Sequence, residues 1–401
     1  MFKQTMLKIC DIAIEGSFYV LIVAAAFSNS FVEIAATVMI VAWFIKRAFD
    51  RDFSSLPILP TVLVLLFWLW GGLSCFNSGY FKESFRGMFK IFEEGFLFIV
   101  AASELKKEAC VKRFLRVLGA GAVFISANGF YQYFAGTDLL RHRMLQPDEA
   151  MRRISSSFVH PNDFGVYLLV VCIVLISVLA SRASGFRSKA ASFGALLVSG
   201  LALFMTRSRG AFLSFAAALV ALGATKSRKV VLLFIGLLVA GLVVMPASQR
   251  ERIMSVTDIG KGTTWERLEL WEGTINMIKV HPVLGFGINT YSRNFPDYKP
   301  ADYPDVRYSH NCYLHMASEI GIPGAVIFLV FLASVFVAGL RRAARMPSSL
   351  RKDAACGLIA ALIGFAINSA VDTHLYSVTL SAFFYVLLGY SVALTTHEKT
   401  N

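Results

Sequence analysis

Charge is scarce in this chain. Asp, Glu, Lys and Arg make up 16% of its 401 residues, whereas 56% are apolar. About a quarter of an ordinary soluble domain is charged, so that class is excluded, and a mean hydropathy of +0.61 agrees. The few cysteines (Cys10, Cys75, Cys110, Cys172, Cys312 and Cys356) lack metal-ligand spacing and mostly lie in or beside apolar runs. A disulfide framework is therefore not expected. The Met1–Cys10 stretch enters an apolar run with no small-residue cleavage site, so no cleavable signal peptide is expected. Internal repeats, low-complexity segments and a separable soluble domain are also missing.

What the chain has is apolar runs. They fall near residues 12–28, 31–46, 57–75, 84–103, 113–134, 161–181, 190–206, 210–225, 230–246, 312–340, 354–371 and 376–394. Most are about long enough to cross a hydrocarbon core of ~30 Å as helices. Backbone polar groups in lipid must be satisfied within the segment, which favours helices. The expected fold is an all-α polytopic membrane protein with about twelve transmembrane helices.

The net charge of +13 does not indicate nucleic acid, because the basic residues sit in short clusters beside apolar runs. Lys46, Arg47 and Arg51 follow the second run, and Lys106, Lys107, Lys112 and Arg113 the fourth. Arg182, Arg187 and Lys189 follow the sixth, Lys226, Arg228 and Lys229 the eighth, and Arg341, Arg342, Arg345, Arg351 and Lys352 the tenth. Every second connection is basic, so the positive-inside rule predicts those connections and both termini in the cytoplasm. The organisation expected is helices 1–9 over 1–246, a large external loop over 247–310, then helices 10–12 and a cytoplasmic tail over 311–401.

That loop holds most of the distinctive polar sequence. Thr263-Thr264-Trp265-Glu266 reads as a capping box, and His281-Pro282 as the end of the helix it opens. Trp265, Leu268, Trp271, Ile275 and Ile278 form one apolar stripe. At about 100° per residue, Arg267 falls roughly 60–70° from its centre, the water boundary of a helix lying on a bilayer. A second external loop near 135–160 carries Arg141, Arg143, Arg152 and Arg153. External arginines beside a membrane suggest an anionic partner, although long loops also escape the charge rule.

Four basic residues carry possible chemistry. Arg207 and Arg209 lie in the tight turn between the seventh and eighth runs. An arginine beside apolar helices is costly unless paired, which favours an anionic ligand; snorkelling to headgroups is the alternative, more open for Arg207. Arg267 taken alone reads as part of a helical ion pair with Glu266, Glu269 or Asp258. His310 stands where the loop re-enters the membrane, and its ordinary titration range suits a general base. His315 and Glu319 fall on other sides of a helical wheel, so no metal site is expected there. Glu93 and Glu94, inside the fourth run, have no evident role.

Four stretches resemble the O-antigen ligase and O-antigen polymerase superfamily of bacterial membrane glycosyltransferases. They are Ser157 to Asn162 (SFVHPN); Thr206 to Ala211 (TRSRGA); Trp265-Glu266-Arg267 with Trp271, leading to His281 to Gly287 (HPVLGFG); and His310 to Leu314 (HNCYL), followed by Glu319-Ile320-Gly321 and Gly324. Their order across a twelve-run chain, more than any single motif, carries the resemblance. It implies a GT-C-like fold in the bacterial inner membrane, with the active site facing the periplasm. It also implies a donor glycan on undecaprenyl diphosphate and an acceptor among the lipid A–core oligosaccharides. No cofactor, metal or nucleic acid is implied; membrane lipids are the remaining partners.

Carried over residue by residue, the resemblance implies functional roles for Arg209, Arg267 and His310. Arg207 competes for the Arg209 role, Arg153 is added here as a diphosphate contact, and Asn162 and Asn311 support the site. Ligase is favoured over polymerase by the compact size and the single dominant loop. Transfer to a protein is a related variant. A non-catalytic lipid-glycan flippase would line its path with mid-membrane charges, which most runs lack.

Overall fold

The computed structural model describes residues 2–145, 152–226, 232, 236, 263–301 and 303–396. The described regular structure is helical, apart from an isolated bridge between Thr137 and Met144. In order the helices are α1 (Phe2–Ala24), α2 (Asn29–Asp50), α3 (Ile58–Phe76), α4 (Phe81–Glu104), α5 (Glu108–Ala135), α6 (Pro161–Leu179), α7 (Phe186–Thr206) and α8 (Arg209–Thr225). Then follow α9 (Thr263–Val280), the short α10 (Tyr291–Asn294), α11 (Cys312–Arg345), α12 (Leu350–Asn368) and α13 (Val378–Thr395). A helix covers each expected run except 230–246, which lies almost entirely outside the described residues, as does the loop up to Gly262. Among the described residues, five helices (α3, α6, α7, α11 and α13) are long and apolar enough to cross a membrane.

α6 and α13 form the centre. Both are apolar on every side and buried along almost their whole length, as a helix without a polar face requires. α6 packs against α7, α8 and α12, and α13 against α4 and α12. The α4–α13 approach is close enough that a Cβ at Gly389 would collide with the Phe98 carbonyl, the small-residue contact common between membrane helices. α3 and α7 instead expose Leu59, Leu65, Leu69, Phe193, Leu197 and Leu201. Exposed apolar rows on the outermost helices are what a lipid-facing surface looks like.

Basic residues from several of the clusters pair at one end of the bundle. Lys46 bridges Asp11 and Glu104 at 2.6 Å each, Arg47 also pairs with Glu104, and Lys226 meets Asp353 at 2.7 Å. Arg351 donates to the carbonyls of Lys106, Ala393 and Leu394, tying the ends of α4 and α13 together. If that end faces the cytoplasm, reporters fused after Lys189, Lys229 and Lys352 should read as cytoplasmic. Fusions after Phe134, within 247–310 and at Thr373 should read as external. A cytoplasmic signal from the 270s would overturn this orientation.

α11 is broken, although its apolar run reads as continuous. Gly321 adopts φ 75° and ψ 169°, and Pro323 follows, so the helical ladder opens there. The loop fills the gap. Phe286 N donates to Ser318 O (3.0 Å), Gly287 N to Glu319 O (2.8 Å), and Ile322 N to Pro282 O (2.8 Å). From α3, Ser74 Oγ also reaches Glu319 O, and Trp70 Nε1 reaches Ile320 O. A Cβ at Gly321 would strike the Val283 carbonyl, and one at Gly285 the Glu319 backbone. The Gly285-Phe286-Gly287 turn and the Glu319-Ile320-Gly321 stretch are thus two halves of one joint, which anchors the loop to the membrane helices.

α9 adds an inward face that its apolar stripe did not announce. The face it turns inward carries Leu270, Gly273, Thr274 and Met277, on another side from most of the large apolar stripe. Leu270 and Met277 pack on Tyr291 and Phe295, a small core belonging to the loop itself. Close packing on aromatic rings suits the small Gly273 and Thr274, and leaves Trp265, Leu268 and Ile275 exposed. Trp271 is half-buried and donates through Nε1 to Ser309 O at 3.1 Å.

Candidate active site

The short connection between α12 and α13 places Asp372 at the centre of a polar cluster. His310 Nδ1 lies 3.0 Å from Asp372 Oδ1, which also accepts from Thr373 N at 2.9 Å. Asn162 Nδ2, at the start of α6, donates to Oδ2 at 2.8 Å, and Arg267 Nη2 approaches the same oxygen to 3.7 Å. Arg153 Nη2 donates to Asn162 Oδ1 at 2.9 Å, while its Nε donates to Thr206 O at 2.9 Å. Side chains from three chain segments far apart in sequence, Asn162, Arg267 and His310, therefore meet at one carboxylate, with Arg153 behind Asn162.

Local geometry explains why His310 points outward. Asn311 caps α11, its side chain accepting from Tyr313 N at 3.0 Å and Leu314 N at 3.1 Å. Cys312 N donates to Ser369 O at 2.8 Å, fixing the helix start against the end of α12. His310, just before the cap, sits at φ 50°, an uncommon backbone state for a non-glycine residue. Such strain often marks functional positions. Its imidazole is half exposed while Asp372 is buried beneath it. The wheel that separated His310 from His315 and Glu319 does not apply, since His310 precedes the helix. Those two form a buried pair of their own, 3.4 Å apart.

Burial alone would push the Asp372 carboxyl up. The His310 hydrogen bond, with the charges of His374, Arg267 and His310, outweighs it and holds Asp372 well below the usual carboxylate range. Asp372 therefore stays ionised at any working pH, and an ionised acceptor keeps the His310 proton on Nδ1. That leaves Nε2 with its lone pair free to accept a proton. Next to it, buried His374 contacts Asp163 Oδ1 through Nδ1 and Asn368 Oδ1 through Nε2, each at 3.0 Å. Burial works against its charged form, yet the Asp163 hydrogen bond and the two carboxylate charges raise it. This clamp is strongest where His374 is protonated and fades as pH rises through the raised value.

Arg207 and Arg209 occupy the turn between α7 and α8. Arg207 ends α7 at φ 52°, Arg209 opens α8, and Ser208 caps it by accepting from Ala211 N. Gly210 lies against Asn368 and Val371, so the turn abuts the segment leading into Asp372.

A cavity of about 590 Å³ opens beside the cluster. Arg141, Arg143, Arg153, Arg307, His160 and His310 line it, with Asn162, Asp163, Asp372 and Tyr308. Asp138 organises the first two arginines by accepting from the backbone N–H groups of Arg141 (2.9 Å) and Arg143 (2.6 Å). Burial pushes its carboxyl up, but those bonds bring it below the ordinary value. Arg143 Nε donates to Ser157 O at 3.0 Å. Four guanidinium groups facing one space suit an anion such as a phosphate. Arg207, Arg209 and Arg267 are not among the residues lining it.

Residues 194–329 match a family model described as O-antigen ligase. Over that stretch the chain is similar to the O-antigen ligase family. This match spans Arg207, Arg209, Arg267 and His310 and stops short of Asp372. No curated protein matches the chain. A chain from a solved structure titled "Structural coordination of polymerization and crosslinking by a peptidoglycan synthase complex" aligns at 16% identity with a TM-score of 0.45, over 83% of this chain and 96% of that one.

The sequence reading had not assigned a role to Asp372 as the partner of His310. The available signal was position, since Asp372 is the one acidic residue in the short connection between the last two apolar runs. Asp302, another acid of the loop, and Asp258 lie outside the described residues.

Proposed function

We propose that this chain belongs to the O-antigen ligase family and transfers a glycan from undecaprenyl diphosphate to the lipid A–core oligosaccharide at the periplasmic face of the inner membrane, with inversion and without a metal. The observation that carries the reading is the meeting of His310, Asp372, Asn162 and Arg153 on the wall of an arginine-lined cavity, with Arg267 approaching Asp372. His310 Nε2 takes the proton of the acceptor hydroxyl, whose oxygen attacks the anomeric carbon. The sugar–phosphate bond breaks on the opposite side, and its electron pair leaves with the lipid diphosphate. Arg209 and Arg267 neutralise that developing charge, with Arg207 and Arg153 as further contacts. The contact from Arg267 to Asp372 is long enough to leave guanidinium donors for phosphate.

Purified enzyme given undecaprenyl-diphosphate-linked glycan should glycosylate lipid A–core acceptor, and do so in excess chelator. Extension of a second donor molecule instead would mark a polymerase. Arg209→Lys and Arg267→Lys should each weaken donor binding as well as rate, because lysine keeps the charge and loses the two-pronged grip. A lysine variant with unchanged affinity for the lipid diphosphate would remove that arginine from the phosphate site.

A further inference from the structure

The arginines assigned to the leaving diphosphate and the arginine-lined cavity do not coincide. Arg207, Arg209 and Arg267 lie outside the cavity lining, whereas His310 is part of it. In-line displacement puts the attacking hydroxyl and the departing diphosphate on opposite faces of the anomeric carbon. A general base has to stand within reach of the hydroxyl it deprotonates. With His310 as that base, the cavity lies on the acceptor's side of the reaction and the diphosphate on the other. Arg153 stands between the two, donating through Nε to Thr206 O beside the turn that holds Arg207 and Arg209.

The cavity is more basic than a neutral sugar requires. Two carboxylates line it, and both are committed, Asp372 to His310 and Asn162, and Asp163 to His374. Four arginines line it too. Arg143 is held through Nε by Ser157 O. Burial and the neighbouring Arg141 charge press its guanidinium below the ordinary value, against the pull of Asp138 and Asp163. Arg141, from the loop after α5, and Arg307, from the stretch leading into α11, are exposed to solvent. Among the described residues neither side chain makes a hydrogen bond or an ion pair, and Arg307 only lies over the Tyr308 ring at 5.4 Å. Their donors are open to a ligand in the cavity. Guanidinium groups brought together from separate loops repel one another, and a phosphate or carboxylate between them relieves that repulsion and takes up the two-pronged donor sets.

We propose that the acceptor carries an anionic group, a phosphate or a carboxylate, near the hydroxyl that is glycosylated, and that Arg141 and Arg307 bind it. This rests on the transferase reading and adds to it a requirement on the chemistry of the acceptor.

Arg141→Gln and Arg307→Gln, singly and together, test it, with wild-type transfer to delipidated core oligosaccharide measured first. Neither side chain holds another in place, so membrane levels and thermal stability should match wild type. A charge-assisted hydrogen bond at so exposed a position contributes on the order of threefold to tenfold in affinity. The acceptor KM should rise by about that factor in each single variant and by roughly tenfold to a hundredfold in the double variant. The donor KM and the rate at saturating acceptor should stay within about twofold. The same oligosaccharide after phosphatase treatment, or after amidation of its carboxyl groups, identifies the anion. In one of those arms wild type should lose affinity as well, and the double variant should lose little more, because the contact is already gone. Titration of the oligosaccharide without donor reads the site apart from turnover. Binding by wild type and much weaker binding by the double variant, in enzyme that transfers nothing, would uphold the anion site while sinking the transferase reading. A rise in donor KM instead would put the diphosphate in this cavity and overturn the proposal. So would an unchanged acceptor KM in the double variant, the result for arginines that only meet bilayer headgroups, or losses that multiply in both oligosaccharide arms.

Discussion

His310→Ala should cut glycan transfer by roughly 10²- to 10⁴-fold, the usual contribution of a general base, while binding of the lipid diphosphate stays near normal. The expectation follows from where the residue stands. His310 is half exposed at the cavity lining, on a left-handed backbone turn ahead of a capped helix, with Nδ1 committed to an ionised carboxylate. Truncation removes no buried apolar surface and leaves the Asn311 cap intact, so expression and thermal stability should match wild type. Because its work is confined to the transition state, kcat should fall with little change in donor affinity. Equal membrane levels with near-normal transfer would remove His310 from the chemistry and leave Asp305 or Asp372 to take the proton directly.

Among the described residues, hydropathy located eleven helices to within a few residues at most ends, because a run of apolar side chains long enough to cross lipid has few alternatives to a helix. α1 is the exception, starting about ten residues before its apolar run, with Asp11 and Glu15 paired to Lys46 and Arg113 from neighbouring helices. Other features depend on partners far away in the chain and were not legible. The break at Gly321 makes sense only once the 283–287 turn is seen seated in it. The inward face of α9 was not legible either, because Leu270, Gly273, Thr274 and Met277 are selected by the aromatic surface that Tyr291 and Phe295 supply. At the site, His310 and the arginines were visible as polar exceptions in an apolar chain. Asp372 was visible only as an acid in a short connection. Its meaning came from what surrounds it.

Asp372→Asn should cost nearly as much as losing His310, on the order of 10²- to 10⁴-fold, by analogy with the buried acid of a catalytic triad. An asparagine side chain fits the space, yet presents either an amide oxygen without charge or an NH₂ to His310 Nδ1. In the second arrangement the imidazole proton is driven to Nε2, the atom that has to accept one. The same change weakens the hold on Arg267 and Asn162, which share Asp372 Oδ2. A positioning role through His310 makes a sharper prediction than the loss itself. In His310→Ala, Asp372 has no imidazole left to orient, so adding Asp372→Asn should lower transfer by much less than it does in wild type. Donor affinity should fall modestly in both backgrounds through the loosened Arg267. Multiplicative losses in the double variant would show that Asp372 acts on the substrate independently of His310. A tenfold or smaller loss in Asp372→Asn, with His310→Ala still crippled, would show that His310 finds its working tautomer without Asp372.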